Sequence, residues 1–434
     1  MAQTEIALAG FLLIALISSL VSRKVRTPYT TLLVLIGIGL TVFPISEVAG
    51  LTQFFGSLAG SGLFLGLVLP PLLFESIMSV KVGDFRAVYR SSLLLATVGV
   101  LVSALVVGAV LWRVVGLSPL VSFLFAALIS PTDVATVLEI FARVNVPSRL
   151  ATLIEMESVF NDATGIALFT VVVAAATATA LTPLQGLEFF AKYLGGGALV
   201  GLGVAWAARY LQHQVMDTVS QVVLTLAAVY GAYGLGSYMG FSGLIAVAVT
   251  GLFYGNSYVL QYKDRQVADA TREFWRVLAF IANAVAFFYI GISTNIFLLA
   301  GSVGAILVAF GVVVMARITS VYPILGLSRV AGSPIPLSWM NTAALGGMRG
   351  ALAIVLVSDI STFSASTAQD VATLTAGVVF LSVVLQGPLL SRYTRKFFGR
   401  QATLVPSGGG LPAVGDPPPP PEDLSPDPQG ERKD

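Results

Sequence analysis

Apolar residues come in runs of about 20, separated by short polar segments, from residue 5 to residue 391. Marking each run between the interruptions predicts helices over 5–21, 29–46, 53–79, 90–113, 119–142, 149–179, 188–210, 217–237, 242–255, 272–297, 302–326, 336–358 and 369–391. Runs of that length suit a bilayer core of about 30 Å crossed at about 1.5 Å per residue. In hydrocarbon every backbone polar group needs a partner within the protein, which leaves helices and closed barrels. These runs are too long and too uniformly apolar for barrel strands. The pattern therefore predicts an all-α polytopic membrane protein with about 13 transmembrane helices.

Composition agrees: 56% of the 434 residues are apolar and 11% charged, against roughly 45–50% and 25% in soluble domains. An ordinary soluble protein is excluded. The chain has no cysteine, so thiol catalysis, Cys-based metal sites and disulfides are excluded too. A net charge of +2 gives no reason to expect a nucleic acid partner.

Basic residues test the number of spans, because a wrong count would scramble their alternation. Arg23, Lys24 and Arg26; Lys81, Arg86 and Arg90; Arg143 and Arg149; Arg209; Lys263, Arg265, Arg272 and Arg276; Arg329; and Arg392, Arg395, Lys396, Arg400, Arg432 and Lys433 fall on one side. The opposite side has Arg113 and Lys192, and Arg317 and Arg349 are left within the membrane. This places the N-terminus outside and the C-terminus in the cytoplasm, in the plasma (inner) membrane of a prokaryote. Residues 1–400 form the transmembrane domain. Residues 401–434, with Gly408 to Gly410 and Pro417 to Pro421 among Asp, Glu and Ser, predict a disordered cytoplasmic tail.

Charges in a bilayer cost at least about 2.5–3.5 kcal/mol each on insertion scales, so those within spans point to function. The third span carries Glu75 after Pro70 and Pro71. Ser130-Pro131-Thr132-Asp133 lies halfway along the fifth, with Glu139 nearer its end; the sixth carries Glu155, Glu157, Ser158, Asn161 and Asp162. On that helix Glu157 and Asn161 share one row, and Ser158 and Asp162 the next. A hydroxyl and a carboxylate aimed at one point suit a hard cation, which takes oxygen ligands. At about 1.5 Å per residue Asp162 is roughly 20 Å from the cytoplasmic end, near the midplane. By the same depth argument Glu157 pairs with Arg317, and Arg349 lies level with Asp162. Pro131, and the glycines of Gly346-Gly347-Met348-Arg349-Gly350, weaken two helices in different halves of the chain, the best sequence pointer to a midplane transport site. Asp133 then falls by the positive N-terminal end of one half-helix and Arg349 by the negative C-terminal end of another. Glu139 and Glu155 read as interfacial charges, and His213 as a solvated loop residue.

At these residues the sequence resembles the monovalent cation:proton antiporter family, which includes bacterial NhaP-type Na⁺/H⁺ antiporters and the animal and plant exchangers. Leu69-Pro70-Pro71-Leu72-Leu73-Phe74-Glu75 looks like its third-helix signature, Ser130 to Asp133 like its broken fifth helix and Glu157-Ser158-Val159-Phe160-Asn161-Asp162 like its ion-binding sixth. Ala316-Arg317 with Val321-Tyr322-Pro323, and Gly346 to Ala351, complete five motifs in family order. The resemblance implies an inverted-repeat antiporter fold with two broken crossing helices, and a homodimer. It implies that Asp162 binds Na⁺ and H⁺ in turn, with Ser158, the Thr132 carbonyl and Glu75 helping to ligate the cation. Asn161 is then structural, held by Glu157, whose charge Arg317 neutralises; Asp133 and Arg349 support the site. Asn before the Asp implies electroneutral exchange of one Na⁺ for one H⁺. In many members a proline follows the fifth-helix Asp, whereas here Val134 follows Asp133 and the proline is Pro131.

The expected activity is secondary antiport of Na⁺ (or Li⁺) for H⁺ in pH homeostasis, with K⁺/H⁺ antiport by the same mechanism as the alternative. Such a carrier is not an enzyme and needs no cofactor; its partners are the transported ions and membrane lipid. A burial-desolvated carboxyl holds its proton more tightly and a bound cation opposes this, so the two ions compete. If the loaded site is neutral and the empty anion is costly to move, only loaded states cross. A passive channel keeps the same residues without fixed coupling to protons. An intramembrane protease is the other competing class, because Gly240-Phe241-Ser242-Gly243 has a G-x-S-G form; but His213 falls on the wrong side to serve as base, and no G-x-G-D motif occurs.

Overall fold

The structure is a computed structural model, described at residues 2–25, 27–42, 63–177, 182–215, 217–256, 265–327, 335–357, 360 and 363–399. The expected tail, 401–434, lies outside the described residues, as do Arg26, Lys263, Arg329, the outer end of the second span and the first part of the third. Every regular element among the described residues is helical. In chain order these are α1 (Ala2–Val25), α2 (Tyr29–Val42), α3 (Leu63–Met78), α4 (Val82–Val115), α5a (Pro119–Ile129), α5b (Ala135–Phe141) and α6 (Ser148–Thr177). They continue with α7 (Pro183–Gln212), α8 (Thr218–Tyr238), α9 (Gly243–Gly255), α10 (Arg265–Ser293), α11 (Val303–Leu327), α12a (Leu337–Leu345), α12b (Ala351–Leu356) and α13 (Ala365–Phe397). Seven of them, α4, α6, α7, α8, α10, α11 and α13, are long and apolar enough to cross a membrane by length and composition. The span expected to run to residue 297 ends instead at Ser293, because Asn295 caps a separate short helix, Ile296–Gly301.

Polar residues flanking the apolar runs set the helix starts, as capping requires. Ser118 accepts from the Val121 N–H ahead of α5a, Asp217 from Ser220 ahead of α8 and Ser364 from Thr367 ahead of α13. Thr182 and Gln185 form a reciprocal capping box at α7. Ser242 does the same work at α9, where it accepts from Ile245 and is fully buried, while Gly240 supplies the left-handed turn residue at φ 75°. The G-x-S-G stretch is thus a tight helix connection.

Packing divides the helices into two bundles. In one, α2 lies along α10, α3 against α9 and α10, and α7 against α8 and α9. In the other, α4 lies along α6 and α11, α5a against α4, α6 and α13, and α11 and both halves of α12 against α13. Glycines allow close packing inside each bundle: a Cβ on Gly37 of α2 would lie 2.8 Å from the Gly291 Cα of α10, and one on Gly377 of α13 would lie 2.6 Å from the Ile306 side chain of α11. Between bundles the packing is thinner, with α6 touching α3, α7 and α9, and α12b touching α3 and α10.

Candidate functional site

The fifth and twelfth spans are both broken midway along their length, at 130–134 and 346–350, and the breaks meet. The Asp133 N–H donates to the Met348 carbonyl at 2.8 Å, tying one unwound stretch to the other. Gly350 permits this approach, since a Cβ there would overlap the Asp133 carboxylate. Breaking a helix frees polar ends in a region without water, and each end here has a charged partner. Arg349, 2% exposed, donates through Nη1 to the carbonyls of Ser130 (2.6 Å) and Pro131 (2.9 Å), where α5a ends. Its own N–H is held by Ser382 at 2.9 Å. The Asp133 carboxylate accepts the Ala135 N–H at 2.8 Å and a second amide, that of Ala351, so it caps the starts of both α5b and α12b. The two charges lie at opposite half-helix poles, as expected from the helix dipoles at the two breaks.

The pairing of Glu157 with Arg317 is also present. Arg317 donates to both carboxylate oxygens, with Nη2 at 2.8 Å from Oε2, and reaches the Ala343 carbonyl at the end of α12a through Nε (3.3 Å) and Nη2 (2.9 Å). One expectation fails here. Asn161 is not held by Glu157: its Nδ2 donates to the Thr132 hydroxyl at 2.7 Å, and no Glu157–Asn161 hydrogen bond occurs among the described residues. The shared helical row is real, but the Glu157 carboxylate is fully turned to Arg317.

Beside the crossing lies a cavity of about 110 Å³. Asp162, Ser158, Thr132 and Glu75, the expected ligand set, all line it together with Asp133. Ser158 donates to the Thr132 carbonyl at 2.8 Å, which fixes both oxygens. The displaced proline leaves Thr132 at the centre of the break, because the unwound stretch runs on to Val134. Glu75 sits one turn from the end of α3 and still reaches the cavity, whose wall on that side includes its neighbour Ser76 and Leu138 of α5b. Among the described residues the Asp162 carboxylate has no hydrogen-bond or ion-pair partner, although it is half-buried.

Two lining residues went unnoticed in the sequence. Ser76 donates to the Glu155 carboxylate, and Asn283 of α10 hydrogen-bonds the Tyr29 hydroxyl. Asn283 had a legible signal as a lone amide in an apolar span. Glu139 is more than an interfacial charge: it accepts the first N–H of α2, Tyr29, at 3.0 and 3.1 Å and pairs with Arg143 at 2.6 Å. Exposed His213 caps the end of α7.

The family described as sodium/hydrogen exchanger, transmembrane, matches residues 11–396. The chain belongs to the sodium/hydrogen exchanger family. It is therefore a multi-pass membrane transport protein. It is similar to the Na⁺/H⁺ antiporter NhaP of Pseudomonas aeruginosa, 33% identical over 77% of this chain and 80% of that protein. It is also 30% identical to the Na⁺/H⁺ antiporter NhaS2 of Synechocystis, over 89% of this chain and 69% of the relative. The sodium proton antiporter MjNhaP1 of Methanocaldococcus jannaschii shares the fold, with a TM-score of 0.70 at 22% identity over 92% of this chain and 100% of that one. The exchanger family's antiporter fold is thus the fold of this chain, with the two broken helices at its centre.

Proposed function

We propose that this exchanger moves Na⁺ against H⁺ by letting the two compete for Asp162, with Ser158, the Thr132 carbonyl and Glu75 completing the cation's oxygen shell. The observation that carries this reading is the Asp162 carboxylate, without a partner among the described residues, on a cavity that Ser158, Thr132 and Glu75 also line. Three neighbouring carboxylates already have partners: Asp133 caps two helix starts, Glu155 accepts from the Ser76 hydroxyl and Glu157 is paired with Arg317. Asp162 is the carboxylate left for a proton or a monovalent cation to neutralise, which makes one-for-one electroneutral exchange the natural stoichiometry. No covalent step and no cofactor enters. Na⁺ is favoured over K⁺ because the relatives above are named for Na⁺.

Alternating access follows from the placement of the site on the seam. Asp162, Ser158 and Thr132 belong to the bundle of α4–α6 and α11–α13, whereas Glu75 and Asn283 belong to the other. Movement of the first bundle against the second carries the loaded site between the two sides. The alternation of basic residues orients the N-terminus outwards and the C-terminus to the cytoplasm of a plasma-membrane protein, and the family resemblance makes a homodimer the expected assembly.

The test is made in proteoliposomes with an imposed pH gradient, a pH-sensitive dye and added Na⁺, Li⁺ or K⁺, with voltage clamped or free. Cation-induced dissipation that ignores voltage and disappears in folded Asp162→Asn is expected. Retained exchange in that variant overturns the assignment, and a response that tracks voltage alone points to a channel.

A further inference from the structure

Polar ties cross the seam where α1 and α3 end and α2 and α6 begin. Glu139 of α5b accepts from Tyr29 and from the Ser22 hydroxyl at 3.3 Å, and the hydroxyls of Thr136 and Thr30 meet at 2.9 Å. A third tie joins the Ser76 hydroxyl of α3 to the Glu155 carboxylate of α6. It differs from the others because Ser76 is part of the cavity wall and follows Glu75 in the chain.

Helical geometry shows what this tie spans. Glu155, Ser158 and Asp162 are spaced i, i+3 and i+7, so they share one face of α6. Glu155 therefore sits about 10 Å, two turns, from Asp162 along that face, on the side towards the start of α6. A bond from Glu155 to α3 thus bridges the seam between the cavity and that membrane face. It also fixes the rotation of the last turn of α3, and with it the approach of Glu75 to Asp162.

We propose that Ser76 and Glu155 form a latch across the cation path, which holds α3 against α6 on the side the charge pattern assigns to the cytoplasm and opens whenever the site faces that side. Both are positioning residues: they set how often the cavity is reached from the cytoplasm and where Glu75 stands. A hydrogen bond from a hydroxyl to a carboxylate is of the size that shifts a two-state balance about tenfold. The neighbouring ties are less suited to this task, because the Glu139 tie is also a helix cap and the Thr30–Thr136 tie lies outside the cavity wall. The proposal rests on the bundle movement put forward above.

The chain has no cysteine, so one introduced residue reports alone. Leu138→Cys, in the cavity wall, is combined with Ser76→Ala, Glu155→Ala, both, or Ser76→Thr, in vesicles with the cytoplasmic face outward. The readouts are modification by a membrane-impermeant maleimide, with and without Na⁺, and the KM and kcat of exchange. Each alanine variant is expected to raise the modification rate about tenfold and lower the KM for cytoplasmic Na⁺, the double variant to go no further than either, and Ser76→Thr to behave as wild type. Additive effects in the double variant overturn the latch, as does loss of transport in Ser76→Ala with unchanged modification. If the reporter in the otherwise unaltered chain responds to Na⁺ but not to the alanine variants, the latch fails and bundle movement stands. If that reporter ignores Na⁺ and pH gradients altogether, the movement fails and the latch with it.

Discussion

Arg317 lies across both carboxylate oxygens of Glu157 and reaches the Ala343 carbonyl with the same Nη2, at 2.8 and 2.9 Å. One guanidinium thus neutralises a buried charge on α6 and satisfies the freed end of α12a. The pair is 1% and 6% exposed, so neither partner has water to fall back on. Removing one side of such a pair costs about 3–5 kcal/mol. Arg317→Met leaves a bare carboxylate and a bare carbonyl, and is expected to lower thermal stability more than Glu157→Gln, which keeps an acceptor. Glu157→Met combined with Arg317→Met should recover much of the loss. Melting of the detergent-purified variants by intrinsic fluorescence measures this order.

Gly165 of α6 faces Pro131 at the break of α5, where a Cβ would overlap the proline ring. Gly165→Ala must push α6 away and stretch the bond from Ser158 to the Thr132 carbonyl. Overpacking of this kind costs about 1–3 kcal/mol. Exchange in proteoliposomes is expected to fall at least tenfold, out of proportion to the change in melting. Gly195→Ala on α7, with nothing within 4 Å of its new methyl, should leave both unchanged.

Arg349 holds two carbonyls at the end of α5a with one nitrogen. Arg349→Gln removes the charge from a helix C-terminus and leaves a carbonyl unpaired, at a cost of about 1–3 kcal/mol. Arg349→Lys keeps a point charge and should retain part of the exchange rate. Equal loss in both variants would show that the reach and direction of the guanidinium Nη1, not the charge, is what the break requires. Parallel melting and transport measurements separate the two.

Competition at one carboxylate has a definite sign. As pH falls on the side where Na⁺ binds, protons occupy Asp162 and the apparent KM for Na⁺ rises, approaching tenfold per pH unit at the acidic limit (~1 proton per cation by mass action). The maximal rate at saturating Na⁺ should change far less. Initial rates over a grid of Na⁺ and H⁺ concentrations measure the slope; a steeper dependence would require a second competing proton.

Much of this was written in the sequence. Apolar runs determined that the chain is helical and crosses a membrane repeatedly, because backbone groups in hydrocarbon have no other way to be satisfied. Pro131 and the glycines around Arg349 located the breaks, since both residue types act on local backbone geometry, and depth along the helices paired Glu157 with Arg317. Only the tertiary structure decided what crosses between helices. Lipid and protein neighbours are equally apolar, so hydropathy cannot say which face of a span meets which partner. That is why the division into two bundles, the turn of Asn161 towards Thr132 rather than Glu157, the capping of α2 by Glu139 and the tie from Ser76 to Glu155 were invisible beforehand. Each depends on the rotation of one helix about its axis relative to another, a quantity fixed by packing.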